Sequence, residues 1–445
     1  MTISFVAAIH ERGFAVVGCR TPAPKEDTMH VHARRPRPHN PMPESRYEVL
    51  ALFTGAMIGA SLFLVSTGAM MPFFATAFRV GQAQLGVILS IQIIGSVAMT
   101  SVAGLLTDRY GDRAVVLWSG LLMGGALIAA SFVVNFAWLV GWLLIYGIGY
   151  AAVTPSGSHA IIYFFKKADR GIAMGVRQCG VPVAGTLGSL VLPALASHAG
   201  YRASLAVAGA VTLAACSLAA ALYREPSEIA GERVSMGAML GEMLEIARER
   251  RLILLTIASM VLICGQFALI GFLTVTYVHD ANYALPVAVG LFTLSQIAAI
   301  FGRLGWGWIS DHVFGGSRTL PLALCCLLVA LVALGVSAVS PQTPLWLAAV
   351  IAAALGFTAE GWLGVGVVGF AEIGGEEHSG SALGVGLTWT LLAAFLTPPV
   401  FGAVAQATSF QGAWRWLAFF ELAGIVPALF AGPVVARVAQ REQLS

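Results

Sequence analysis

The sequence predicts an all-α integral membrane protein with twelve transmembrane helices in two pseudo-symmetric six-helix bundles. Three observations predict it: a shortage of charge, a series of apolar runs of spanning length, and a motif that recurs in the second half of the chain. Charged residues make up 11% of the 445 and hydrophobic residues 58%, whereas a water-soluble domain carries roughly 25% charged residues. A soluble globular protein is thereby excluded. The formal net charge of +3 leaves no electrostatic footprint for a nucleic acid.

Apolar runs bounded by Gly, Pro or charged residues fall at 49–78, 82–106, 114–133, 137–164, 172–197 and 203–223, then at 252–278, 284–309, 319–339, 344–370, 380–406 and 413–436. One crossing takes roughly 20 apolar residues, so each run is a candidate helix. The expected organisation is a cytoplasmic N-terminal tail over 1–46, a first bundle over 47–223, a connector over 224–251, a second bundle over 252–436 and a tail over 437–445. The tail carries Arg34, Arg35, Arg37 and several prolines without an amphipathic period, which predicts disorder. The Met and Leu spacing of the connector predicts a helix lying on the membrane surface. Of the six cysteines, Cys179, Cys216, Cys264, Cys325 and Cys326 sit inside apolar runs, where thiols act as small hydrophobes. No disulfide, metal site or cofactor is expected.

Lys and Arg are sorted by loop. They gather in the N-terminal tail, at 109–113, 166–170, the connector, Arg318 and the C-terminus, whereas the alternate loops hold only Arg79, Arg202 and Arg415. The positive-inside rule then places both termini in the cytoplasm of a multi-pass protein of the cell (inner) membrane.

An internal repeat divides the chain. Gly104-x-x-x-Asp108-Arg109-x-Gly111-x-Arg113 returns 203 residues later as Gly307-x-x-x-Asp311-His312, with Gly315 and Arg318 following. Gly171-x-x-x-Gly175 returns 209 residues later as Gly380-x-x-x-Gly384, and Tyr201-Arg202 is echoed by Trp414-Arg415. Duplicated halves are a recurring transporter design, with the substrate bound near the midplane where they meet. In the loop, Gly104 permits close helix approach, Asp108 can cap a neighbouring helix, and Arg109 and Arg113 can pair with carboxylates across the cytoplasmic seam. A loop serving topology alone would explain the basic residues but not the repeated Gly-x-x-x-Asp spacing.

The Gly104 to Arg113 stretch resembles the signature loop of the major facilitator superfamily, and the twelve-run pattern extends the resemblance over residues 47–436. It implies the major facilitator fold, with Gly104, Asp108, Arg109, Gly111, Arg113, Gly307 and Asp311 as gating residues and a monomer working by alternating access. Many exporters of that superfamily place an Arg in the fourth helix where Leu143 stands here, and Gly180-x-Pro182-x-x-Gly185 matches the antiporter pattern of the fifth helix only in part. Arg177-Gln178-x-Gly180-x-Pro182, Gly302-Arg303-x-x-x-Gly307 and Gly361-Trp362-x-Gly364 resemble the monocarboxylate and cyanate-permease-like branches. In that resemblance Arg303 takes the place of an arginine that binds a substrate carboxylate. Gly364-x-Gly366-x-x-Gly369 matches a dinucleotide fingerprint in letters alone, because no strand precedes it inside its apolar run.

Ionisable residues inside the runs are few: His159, Arg177, Arg303, Glu360 and Glu421. Each costs roughly 2.5–3.5 kcal/mol if charged at a helix centre, so each needs a reason. Arg177 and Arg303 are expected to hold the substrate anion together, since neither has a counterpart at the repeat offsets, where Gly386 and Thr100 stand. The alternative pairs one arginine with Glu360 and leaves the other on backbone carbonyls. Gln178 and Gln266 are expected to line the path, with Gln296 a further candidate and helix packing the default for each. Glu360 is the expected proton carrier, His159 a second candidate or a satisfied structural histidine, and Glu421, placed nearer the outer end of the last run, a structural residue. The expected function is proton-coupled transport of a small organic anion, with protons, the anion and the bilayer as partners. Export of amphipathic compounds is the rival, and an integral-membrane enzyme is the reading from another class.

Overall fold

The computed structural model describes residues 43–165, 170–224 and 244–432, with a few helix side chains, those of Gly104, Asp108 and His159 among them, left outside the description. The disordered tail, most of the connector helix and the last tail expected from the sequence lie outside the described residues. What is described is helical: α1 Pro43–Phe78, α2 Gln82–Ala130, α3 Phe136–Tyr150, α4 Val153–Phe164, α5 Arg170–Gln178, α6 Gly180–Leu222, α7 Arg250–His279, α8 Leu285–His312, α9 Thr319–Ser337, α10 Leu345–Ala359, α11 Leu363–Ala407, α12 Phe410–Leu422 and α13 Ile425–Phe430.

Ten of the described helical stretches are long and apolar enough to cross a membrane, and Gln82–Val97 is a shorter apolar one. The stretch Ala173–Leu222 has 50 residues, about 75 Å at 1.5 Å per residue against a hydrocarbon layer of about 30 Å, so it must cross twice. It bends at Gly200, where φ is +81°, and α2 bends likewise at Gly111, where φ is +83°. An L side chain disfavours that backbone, which is why glycine stands at both reversals. Twelve passes result, six before the connector and six after it. Pass four is α3 with α4, pass five is α5 with the start of α6, pass ten is α10 with the start of α11, and pass twelve is α12 with α13.

The sequence repeat is also a repeat of packing. Gly147 in pass four lies against the backbone of Gln92 in pass two, and Gly356 in pass ten lies against the backbone of Ser295 in pass eight. Ser295 follows Gln92 by 203 residues and Gly356 follows Gly147 by 209, the same offsets as the motifs. Any side chain at either glycine would push the two backbones apart. Arg79 and Asn282, 203 residues apart, are also the two non-glycine residues with positive φ among the described residues, at 54° and 53°.

The halves meet through passes one and seven, two and eleven, and five and eight. Glycine lets backbones meet across them at Gly68 of α1 against Ile270 of α7, at Gly86 of α2 against Pro398 of α11 and at Gly402 of α11 against Gln82 of α2. Gly86 lies four residues into α2, about 6 Å from the end remote from the duplicated motif. These glycine contacts lie toward the end remote from the motif.

Candidate functional site

Pass ten is interrupted at Glu360, Gly361 and Trp362, between the end of α10 and the start of α11. The interruption leaves carbonyls of the last turn of α10 without helical partners, and Trp306 of α8 donates its Nε1–H to Phe357 O at 3.1 Å. Glu360 caps α10 with 0% exposure. It lies fifteen residues after Leu345, about 22 Å along the helix and so at mid-depth.

Two side chains of α8 converge on that carboxylate. Gln296 Nε2 donates to Glu360 Oε1 at 2.7 Å, and Arg303 NH2 stands 3.5 Å from Glu360 Oε2. The Arg303 side chain is only 3% exposed. Its NH1 donates at 2.9 Å to the main-chain carbonyl of Gln178, at the end of α5 in the other half. Arg303 Nε, Arg303 NH2 and Glu360 Oε2 have no hydrogen-bond partner. The pair is close enough for attraction but leaves donors unused, in a place where an unfilled donor is costly. This is a cationic group with room in its hydrogen bonding for an anion.

Arg177 goes elsewhere. It is 0% exposed, and its guanidinium lies against α4, where NH2 donates to Val153 O at 2.6 Å and to Thr154 O at 3.3 Å and NH1 to Ser158 Oγ at 3.2 Å. Gly157 makes the room, since a Cβ there would stand 2.5 Å from Arg177 Nε. The two arginines thus occupy separate positions, one on backbone carbonyls of its own half and one beside Glu360, as the sequence alternative had it. Gln178 contributes its main chain to Arg303. Gln266 is buried on α7 with Oε1 unpartnered and makes no hydrogen bond to the Arg303 group. Tyr150, which the sequence reading passed over, bonds Ser61 Oγ at 3.1 Å and lies within electrostatic reach of both arginines.

The profile described as Major Facilitator Superfamily matches residues 51–372. The chain belongs to this superfamily. An uncharacterized MFS-type transporter of Mycobacterium tuberculosis is 25% identical over 405 residues, 90% of this chain and 89% of the relative. A probable sulfoacetate transporter of Cupriavidus necator is 24% identical over 67% of this chain and 73% of its own. A multi-drug resistance efflux pump of Streptococcus pneumoniae is 29% identical over 40% and 44%. Among solved structures, a bacterial homolog of the human lysosomal transporter Spinster, in an inward-facing and unoccupied conformation, superposes with a TM-score of 0.69 at 16% identity, over 88% of this chain and 96% of that one. The chain is a membrane transporter of the superfamily and not an enzyme.

The superfamily's signature loop and its repeat are built differently in the two halves. In the second, Arg318 sits at the centre of a clamp: NH1 donates to Asp311 Oδ1 at 2.5 Å and to Ser310 Oγ at 2.8 Å, and NH2 meets Glu372 Oε1 at 3.0 Å. Passes eight, nine and ten are tied there. Burial of Arg318 works against its charge, but Glu372 and Asp311 outweigh it and hold the guanidinium pKa above its usual value. Arg318→Ala is expected to cost about 1–2 kcal/mol, discounted because Asp311 is half-exposed. Thermal melting of purified protein checks this, and an unchanged midpoint would remove the clamp from the stability of the fold.

In the first half the loop is built from different contacts. Among the described residues the partner of Arg113 is a carbonyl: its Nε donates to Ala220 O at 2.8 Å, because the last carbonyls of α6 lack helical partners and a cation satisfies them. Arg109 is exposed and lies over the ring of Tyr110. Gly111 serves as the turn, and the repeat glycine, Gly307, faces open space with no helix against it. The side chains of Asp108 and His159, expected to gate and to carry a proton, lie outside the described residues. Glu421 is also placed differently from expectation. It follows the N-cap Ser409 of α12 by twelve residues, about 18 Å, which is mid-depth, and it is wholly buried against Gly265.

Proposed function

We propose that the chain carries a small organic anion across the cell membrane together with a proton, by alternating access of the two halves. The observation that carries this reading is Arg303: a buried guanidinium with unused donors, 3.5 Å from a carboxylate that has an unpartnered oxygen. A carboxylate or sulfonate fits the planar fork of an arginine. When such an anion takes Arg303, Glu360 loses its counter-charge, and a buried unpaired carboxylate is so costly that it takes up a proton. A monovalent anion and the proton then enter as a neutral pair that leaves the buried charge of the site unchanged, and a divalent anion such as sulfoacetate enters with one of its two charges balanced by the proton. The C. necator relative is named for a sulfonated carboxylate, the chemistry this geometry suits.

The sorting of Lys and Arg puts the motif end in the cytoplasm. Purified protein in liposomes is expected to accumulate sulfoacetate when a pH gradient is imposed with the membrane potential clamped. Flux of lipophilic cations without any flux of small carboxylates or sulfonates would replace this reading with efflux of amphipathic compounds.

A further inference from the structure

Three hydrogen bonds between described residues join the two halves. Ser90 Oγ of pass two donates to Phe395 O of pass eleven at 2.6 Å. Ser189 Oγ of pass five and Thr293 Oγ1 of pass eight lie 2.7 Å apart. Thr293 follows Ser90 by 203 residues, so the second helix of each half bonds the opposite half from the same repeat position, in one case to a carbonyl and in the other to a hydroxyl. The third, Arg303 NH1 to Gln178 O at 2.9 Å, has no twin, because the residue 203 before Arg303 is Thr100. It lies ten residues further along α8 than Thr293, about 15 Å closer to the motif end.

Gln178 O is available for a reason written in the sequence. In an unbroken helix it would accept the N–H of residue 182, four positions on. That residue is Pro182, which has no N–H, and the helix breaks at Cys179 between α5 and α6. The same rule supplies the acceptor at Phe395, four residues before Pro399.

We propose that Pro182 is a positioning residue of the transport site: it presents the Gln178 carbonyl to Arg303, which latches the halves at mid-depth until a substrate anion takes the guanidinium. The latch couples occupancy to movement, since the group that binds the anion is also the one that holds passes five and eight together. The substrate half of this statement rests on the anion reading of the site, and the latch itself does not.

The test is Pro182→Ala in the full-length chain, with Pro182→Gly as a second variant supplying the same N–H should the first not fold. Pro193→Ala is the control, because Pro193 lies in the same helix and the carbonyl it frees, that of Ser189, accepts no side chain of the other half among the described residues, Thr293 meeting the Ser189 hydroxyl instead. Two readouts are needed: calorimetric binding of sulfoacetate, and the rate of N-ethylmaleimide labelling at Cys179, which is half-buried beside the latch, followed by peptide mass spectrometry. With an N–H at position 182 the break at Cys179 closes and the Gln178 carbonyl turns along the axis of its own helix, away from Arg303, so binding tightens roughly tenfold, the range of one hydrogen bond to a charged group. Cys179 labelling without ligand rises to the rate that wild type shows with saturating sulfoacetate, and Pro193→Ala changes neither. Unchanged binding and labelling in the Pro182 variants would overturn the latch, as would tighter binding with unchanged labelling. If sulfoacetate does not bind or alter wild type while the Pro182 variants still label faster, the latch stands and the anion reading falls.

Discussion

Glu360→Gln is expected to leave exchange of substrate across the membrane intact and to abolish its accumulation by a pH gradient. The substitution keeps the volume of the side chain and the acceptor that Gln296 Nε2 uses at 2.7 Å, but it fixes the site in the neutral form that the proton would otherwise produce. With the membrane potential clamped at zero, a gradient of one pH unit drives about a tenfold accumulation in a one-to-one symport, since one unit is worth 1.36 kcal/mol, and in the variant the ratio is expected to fall to unity. The substitution also leaves Arg303 without a counter-charge in a buried place, which costs about 3–5 kcal/mol when one partner of a buried pair is removed. The variant is therefore expected to melt at lower temperature when empty and to recover much of the loss with saturating anion. Retained pH-driven accumulation in liposomes would take Glu360 out of the mechanism and leave it a structural partner of Arg303.

Arg303→Lys is expected to fold and to lose affinity for the anion by roughly ten- to a hundredfold, because charge-assisted fork geometry is replaced by a point charge. Lysine keeps the charge opposite Glu360, so the buried pair persists and stability is affected less than by a neutral replacement. What it cannot do is present two parallel N–H donors to both oxygens of a bound carboxylate once the bond to Gln178 O, 2.9 Å from NH1, has been given up. Equilibrium binding of sulfoacetate by calorimetry, together with a melting curve, separates the two effects. Wild-type affinity in this variant would show that Arg303 holds the halves and Glu360 but does not bind the substrate.

Much of the fold and part of this site can be read directly from the residues. Glu360 and Arg303 stand out because an ionisable group within an apolar run carries a penalty that only a partner or a function offsets, and both lie in the central group. Arg177 gives the same signal and ends on the carbonyls of Val153 and Thr154. Nothing local distinguishes the two arginines; the notch at Gly157 does, and it exists only once pass five lies against pass four. The Gln178 carbonyl was legible in principle from Pro182 four residues on, whereas its partner across the interface was not. Glu372 was not legible at all as a partner for Arg318, because the two are 54 residues apart and a carboxylate near a helix end is unremarkable by itself.

The sequence alone determined the membrane class, the number of passes, the division into two halves and the presence of costly charge at mid-depth. These depend on apolar length, on the offsets of the repeat and on the local price of desolvation, which sum along the chain and need no knowledge of neighbours. Only the tertiary structure decided which charge meets which: Arg303 with Glu360 and Gln178, Arg177 with α4, Arg113 with the end of α6, and Arg318 with Asp311 and Glu372. Hydrogen bonds and ion pairs act over about 3–4 Å, and at that range partners are chosen by which helices pack together and by where a glycine or a proline leaves a space or an unfilled carbonyl.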